Sequence, residues 1–296
     1  MSQLILASEA LAGGAMTRRE LQRRYQRVHQ NVYAPRDLEL TAADRVRAAW
    51  LWSGRTATAS GLSAAVLLGS RWIPDETPAE LLRTQYPAPR GIIVHQDQVP
   101  EEELTTRSGI SCTTAERTVF DLGRRLAFTE GLVRVDALLN ATNTAFADIA
   151  KVVDRHPGAR YVRRLRDVLA VADGGAESPQ ETRVRLVLLR GGTPTVTTQI
   201  PVGRRRIDMG WPEWKVGVEY DGAQHWDDPR QHGSDIERLE YFDGLGWRIV
   251  RVVAAHLRDP HSIIGRAERA LRSAGWTGTL TPSSIGLLPY RTGKMR

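Results

Sequence analysis

The chain has 296 residues, 41% of them hydrophobic and 25% charged, and carries a formal net charge of +7 with a pI near 10.0. That length suits two domains, and the composition is that of a folded globular chain rather than a disordered or fibrous one. The single cysteine, Cys112, excludes an internal disulfide framework and a cysteine-based zinc site.

No apolar run reaches membrane length and no signal-peptide pattern opens the chain, so a cytoplasmic protein without a membrane partner is expected. The basic excess suits a polyanion such as DNA. It is carried by arginine, since the lysines are only Lys151, Lys215 and Lys294; an arginine-rich genome produces the same bias.

Residues 4–12 have the pattern of a helix ending at Gly13-Gly14. Thr17-Arg18-Arg19-Glu20 has the form of a capping box and predicts a short helix to about Arg24. Arg27 to Pro35 then reads as a pair of strands. Helix, turn, helix and β-wing make the layout of a small winged helix. Arg18, Arg19, Arg23, Arg24 and Arg27 cluster on its second helix and exit, the element that would lie on DNA and reach phosphates or base edges. A solvated basic face on an ordinary helical lobe accounts for the same arginines.

Helices are expected over 41–53 and over 58–68, the second stopped by Gly69. Strand-like runs follow at Leu81-Leu82, 91–95 and 108–112, and Thr114 caps a helix with Val119, Phe120 and Leu122 on its apolar side. Further helices are expected near 129–140, 146–155 and 159–172. His29 and His95 stand alone and are read as structural.

Three pieces of this region resemble the AbiEi-type antitoxin and transcriptional-regulator family. They are Met16-Thr17-Arg18-Arg19-Glu20-Leu21, Asn31-Val32-Tyr33-Ala34-Pro35, and the run from Thr113 to Leu122. The resemblance implies an N-terminal winged helix over 1–70, an α/β connecting region over 71–173, and a DNA-binding ancestry.

A Gly-rich break at Asp173-Gly174-Gly175-Ala176 marks the expected boundary of a domain over 174–275, followed by a flexible basic tail over 276–296. Ser178-Pro179-Gln180-Glu181 opens a helix to about Arg190, and residues 196–202 form a strand carrying Gln199. Residues 204–222 then read as a hairpin turning at Pro212-Glu213. In its second strand Val216, Val218 and Tyr220 face one side, and Gly217, Glu219 and Asp221 the other. The hairpin brings Asp208 beside these acids, and converging carboxylates attract a hard cation such as Mg²⁺ or Mn²⁺. A helix over 234–244, a strand over 247–253 and a last helix over 259–273 complete the chain.

The order helix, three strands, helix, strand resembles the PD-(D/E)XK nuclease superfamily, and more closely the endonuclease-like domains related to the very-short-patch-repair (Vsr) enzyme. The matching residues are Ser178 to Glu181, Arg206 to Asp208, Val218 to Gly222, His225, Asp235 to Leu239 and Gly246 to Val250. The resemblance implies a restriction-endonuclease-like domain with a mixed sheet, inside a chain that is α/β (α+β overall). It implies metal ligands at Asp208 and Glu219, a third oxygen from the Tyr220 carbonyl, and Glu181 completing the set.

His225 is then the candidate proton-transfer group and Asp235 its orienting partner. Gln199, Gln224, Trp226 and Arg238 are assigned as nucleic-acid contacts; Arg238 also has Asp235 one turn back as a partner. Asp221 stands where the usual motif has lysine, and Lys215 lies roughly 13 Å away along a strand. Glu181 is equally well placed as a helix-capping residue.

Two functions follow. One is a metal-dependent DNA endonuclease delivered by the winged helix. The other is a non-catalytic, antitoxin-like DNA-binding regulator with a degenerate nuclease fold. The expected partners are DNA and further components of a defence, repair or toxin–antitoxin system.

Overall fold

The computed structural model describes residues 4–84, 87–222 and 229–286, with side chains in the helix that begins at Pro229 described from Glu237 onward. Two compact units divide the chain. The first comprises residues 1–125 and 141–162, the second residues 126–140 and 163–296. Residues 126–140 and 163–173, read from the sequence as part of a connecting region, thus fold with the C-terminal unit. The chain is mixed α/β, with an antiparallel sheet of three strands and mixed sheets of five and four.

The first unit opens with β1 (Ile5–Leu6), α1 (Ala7–Ala12), α2 (Arg18–Arg24), β2 (Tyr25–His29) and β3 (Val32–Pro35), the strands in the order β1-β3-β2. The helix expected over 4–12 starts only at Ala7, because Ile5 and Leu6 pair with Tyr33 and Val32. Leu4 and Leu6 are thereby buried with Val32 and Ala34. At α2 the capping box forms: Glu20 N donates to Thr17 Oγ1 at 3.2 Å, and Thr17 N donates to Glu20 Oε2 at 2.7 Å. Asn31 turns the hairpin in the left-handed region at φ 64°, and its amide ties that turn to Ser8.

Next come α3 (Ala42–Trp52), β4 (Thr58–Ala59), α4 (Gly61–Leu67), β5 (Ala79–Leu82), β6 (Ile92–His95), β7 (Leu104–Arg107) and β8 (Ile110–Thr113). The sheet order is β6-β5-β4-β8-β7. The helix expected over 58–68 splits, since Ala59 is fully buried between Leu81 and Cys112 as part of a strand. Helices α5 (Ala115–Arg125), α6 (Phe128–Thr142), α7 (Phe146–Arg155) and α8 (Val162–Leu169) follow. Of these, α5 and α7 lie in the first unit, and most of α6 and α8 in the second.

Helix α5 carries a buried ion network. Arg117, 2% exposed, donates to Glu103 at 2.8 Å and to Asp121 at 3.1 Å, while Arg124 also donates to Asp121 at 2.8 Å. The two histidines nearby join it: His95 is paired with Glu80 at 2.7 Å and His156 with Glu103 at 2.9 Å.

The second unit continues with α9 (Pro179–Arg190), β9 (Thr197–Val202), β10 (Arg205–Trp211), β11 (Val216–Asp221), α10 (Pro229–Gly244), β12 (Arg248–Val253) and α11 (Pro260–Ser273). Its sheet has the order β12-β11-β10-β9, with only β11 and β12 parallel. A parallel pair needs a crossover, and α10 supplies it. One core gathers Val184 and Leu188 of α9 with Met209, Trp211, Val218, Val252 and Leu271. The other gathers Ile200, Val202 and Ile207 with Phe242 and Trp247. Helices α9 and α11 therefore cover one face and α10 the other. Ile207 and Met209 should share a face, yet they lie in different cores. Between them the register omits Asp208 and Gln199, and Gln199 adopts φ 50°. The strand alternation is broken at Asp208.

Helix α6 is fixed to α9 by a buried acid. Asp136 accepts from Arg185 Nη2 at 2.6 Å, Thr182 Oγ1 at 2.9 Å and Asp173 N at 2.8 Å. Burial outweighs these donors and pushes its pKa up to about 6. A carboxyl that holds its proton more tightly when folded stabilises fully below its unfolded pKa of about 3.9. That contribution is lost as pH rises through about 6. Unfolding in urea across this window should show stability falling with pH, and Asp136→Asn should flatten that slope. Arg117→Met should lower stability in the same measurement, because it removes the cation shared by two buried carboxylates and leaves Glu103 to Arg155 and His156 and Asp121 to Arg124.

Candidate functional site: an acidic cluster where two strands part

Strands β10 and β11 pair from Trp211↔Val216 through Gly210↔Gly217 to Met209↔Val218, and there the ladder ends. Gly210 permits this close approach: a Cβ there would lie 2.2 Å from the Val216 carbonyl oxygen and 2.8 Å from Gly217 Cα. One step further, a side chain takes over from the backbone. Tyr220 N donates to Asp208 Oδ2 at 2.9 Å. Asp208 thus sits at the fork of the two strands, where the alternation of β10 is broken.

Two more acids act on it, Glu181 from α9 and Glu219 from β11. Burial first, then the charge of Glu181, push the Asp208 pKa up to about 7, against the pull of the Tyr220 N–H. Asp208 is therefore a carboxyl that can exchange a proton near neutral pH. Glu181 is buried at the first turn of α9. Ser178 caps its N–H at 3.2 Å, and its Oε2 accepts from Glu177 N at 2.9 Å and from Gln199 Nε2 at 3.5 Å. Burial raises its pKa too. Glu181 accordingly serves both the helix start and the cluster.

Glu219 is buried and engaged by a cation. Arg238 of α10 donates from Nε at 3.1 Å and from Nη2 at 2.6 Å to Glu219 Oε1. Arg238 Nη2 also donates to the Arg206 carbonyl at 2.9 Å, and the guanidinium lies 5.5 Å over the Phe242 ring. Among the described residues the carboxylate partner of Arg238 is Glu219; the side chain of Asp235, the partner the sequence offered, lies outside them. Asp221 is held by Arg251 of β12, so it is drawn to the neighbouring strand. Tyr220 stands in register with Val252, and its ring packs against the α9–α11 core.

Of the remaining sequence candidates, Gln224, His225 and Trp226 lie outside the described residues, as does the side chain of Asp235. Arg18, Arg19, Arg23, Arg24 and Arg27 are exposed on α2 and β2. Sequence reasoning missed Arg251 as a partner of Asp221, although a parallel β11–β12 pairing already implied that neighbourhood. It also missed Tyr241, whose ring underlies the guanidinium groups of Arg204 and Arg205 at 5.2 and 5.8 Å.

A divalent cation needs several carboxylate oxygens turned toward one point. Here the donors are committed elsewhere: Glu219 to Arg238, Asp221 to Arg251, and Asp208 to Tyr220 N. Among the described residues no group of three histidine, cysteine, aspartate or glutamate side chains is arranged to hold a metal ion. The described residues as arranged do not fit Mg²⁺ or Mn²⁺.

Exposed arginines on α2 and β2 in the first unit and an acidic cluster paired with arginines in the second characterise this two-unit protein. Residues 9–171, more than half of the chain, match the model of the AbiEi antitoxin C-terminal domain, and the chain belongs to that family. It is also similar to the uncharacterised proteins MT2308 and Rv2248 from two strains of Mycobacterium tuberculosis. The identity to each is 30% over 194 residues, covering 64% of this chain and 71% of the relative. Among the described residues no helix is long and apolar enough to cross a membrane.

Proposed function

We propose that this protein is a DNA-binding regulator of the antitoxin type, working with other components of a toxin–antitoxin system. The observation that carries the reading is the set of five exposed arginines on α2 and β2, on a helix–turn–helix and hairpin layout. Their side chains make no hydrogen bond or ion pair with another described residue. Guanidinium groups left open to solvent on one short element are suited to phosphate oxygens, which they bind in bidentate fashion. In this reading α2 is the recognition element of a winged helix and the β2–β3 hairpin its wing. Family membership over residues 9–171 supports it.

Binding of this kind releases counterions, so affinity for duplex DNA should fall steeply with salt. A protein neutralising about five phosphates loses roughly 500-fold between about 50 and about 200 mM salt. Fluorescence anisotropy with labelled duplex should show this slope, and Arg18→Ala combined with Arg23→Ala should reduce it by about 2. No binding at low salt, or a slope indifferent to these substitutions, refutes the reading.

A second reading is a Mg²⁺- or Mn²⁺-dependent endonuclease on a PD-(D/E)XK, Vsr-like unit. The convergence of Asp208, Glu181 and Glu219 at a strand fork favours it, together with the α9–β9–β10–β11–α10–β12 order. The commitment of Glu219 and Asp221 to arginines weighs against it. Supercoiled plasmid incubated with the wild type and Asp208→Ala, with Mg²⁺, Mn²⁺ or EDTA, discriminates the two. Cleavage lost in both the variant and EDTA establishes the nuclease; intact plasmid throughout leaves the regulator.

A further inference from the structure

We infer that Arg238 is the resident cation of the acidic cluster, occupying at Glu219 the place that a divalent ion would need, and that it thereby keeps the wild-type site from binding metal. Among the described residues the guanidinium is anchored at three points. It forms the bidentate pair with Glu219, donates to the Arg206 carbonyl, and stacks on Phe242. Its side chain is 34% exposed and that of Glu219 only 12%, so the pair is sheltered on the carboxylate side, where a charge-assisted bond is strongest.

The charge balance makes this cation necessary. Without Arg238, Glu219 would be a buried carboxylate near Asp208 with no other ion pair among the described residues. A divalent ion entering the fork would have to share Glu219 with a guanidinium of like charge, or displace it. Displacement breaks two charge-assisted bonds and a backbone contact at once. Arginine rather than lysine suits the role, because the planar fork matches both the carboxylate and the aromatic face.

The inference concerns the site of the second reading and rests on that site's geometry. Its readout is metal binding, so its failure and an absence of cleavage are separate results. Mn²⁺ should be titrated into the full-length wild type, Arg238→Met, Arg238→Lys, and Arg238→Met combined with Glu219→Gln, by calorimetry and by the shift in thermal midpoint. Methionine keeps an apolar stem over Phe242, and far-UV circular dichroism checks that each variant is folded; Arg238→Gln carries the same test where methionine does not fold. The expected result is that Arg238→Met binds Mn²⁺ at least about 10-fold more tightly than the wild type. Arg238→Lys, which keeps the charge without the planar fork, should gain less than Arg238→Met, and the gain should vanish when Glu219 is also replaced. Equal affinity in the wild type and folded Arg238→Met or Arg238→Gln, or a gain that survives Glu219→Gln, overturns it.

Discussion

A carboxylate taken out of water must meet a cation, a set of hydrogen-bond donors or a proton. Both units of this protein are organised by that requirement. In the first, Arg117 lies between Glu103 and Asp121, with Arg124 on the second of them. In the second, Asp136 takes Arg185, Thr182 and a backbone N–H and so joins α6 to α9. Apolar burial supplies the gross driving force, but these ion pairs specify which helix sits on which, since an unmatched charge would exclude any other arrangement.

The acidic cluster at the β10–β11 fork obeys the same rule in an unequal way. Glu219 and Asp221 are met by guanidinium groups, and Asp208 by a backbone N–H together with a raised proton affinity. A site that satisfies its own charges is suited to structural work. A site built for a metal leaves them for the ion to satisfy. The cluster therefore joins the geometry of a strand-fork carboxylate site to the electrostatics of a closed ion network, and Arg238 is where the two meet.

The N-terminal lobe presents the opposite arrangement. Its small core of Leu4, Leu6, Val32 and Ala34 is apolar, while the five arginines of α2 and β2 face solvent. Charge left unpaired at a surface is inexpensive in water and available to a polyanion. The contrast between open basic charge in one unit and neutralised acidic charge in the other is the physical basis for giving the regulator reading precedence.

Local signals were legible in the sequence itself. The capping box at Thr17, the Ser178 cap and the alternation that puts Glu219 opposite Val218 depend on residues a few positions apart, so spacing alone specifies them. The nearness of Asp208 to Glu219 was legible for the same reason, once the hairpin at Pro212-Glu213 was recognised. Partner choice over long separations was not. Ile5–Leu6 and Thr58–Ala59 have helical neighbours in sequence and become strands because edges elsewhere in the fold need them. The break at Asp208 appears only when β9, β10 and two cores on opposite faces are assembled. That Arg238 takes Glu219, and Arg251 takes Asp221, follows from how α10 and β12 are laid on β11. Only that packing decides whether the carboxylates are open to an ion or already neutralised.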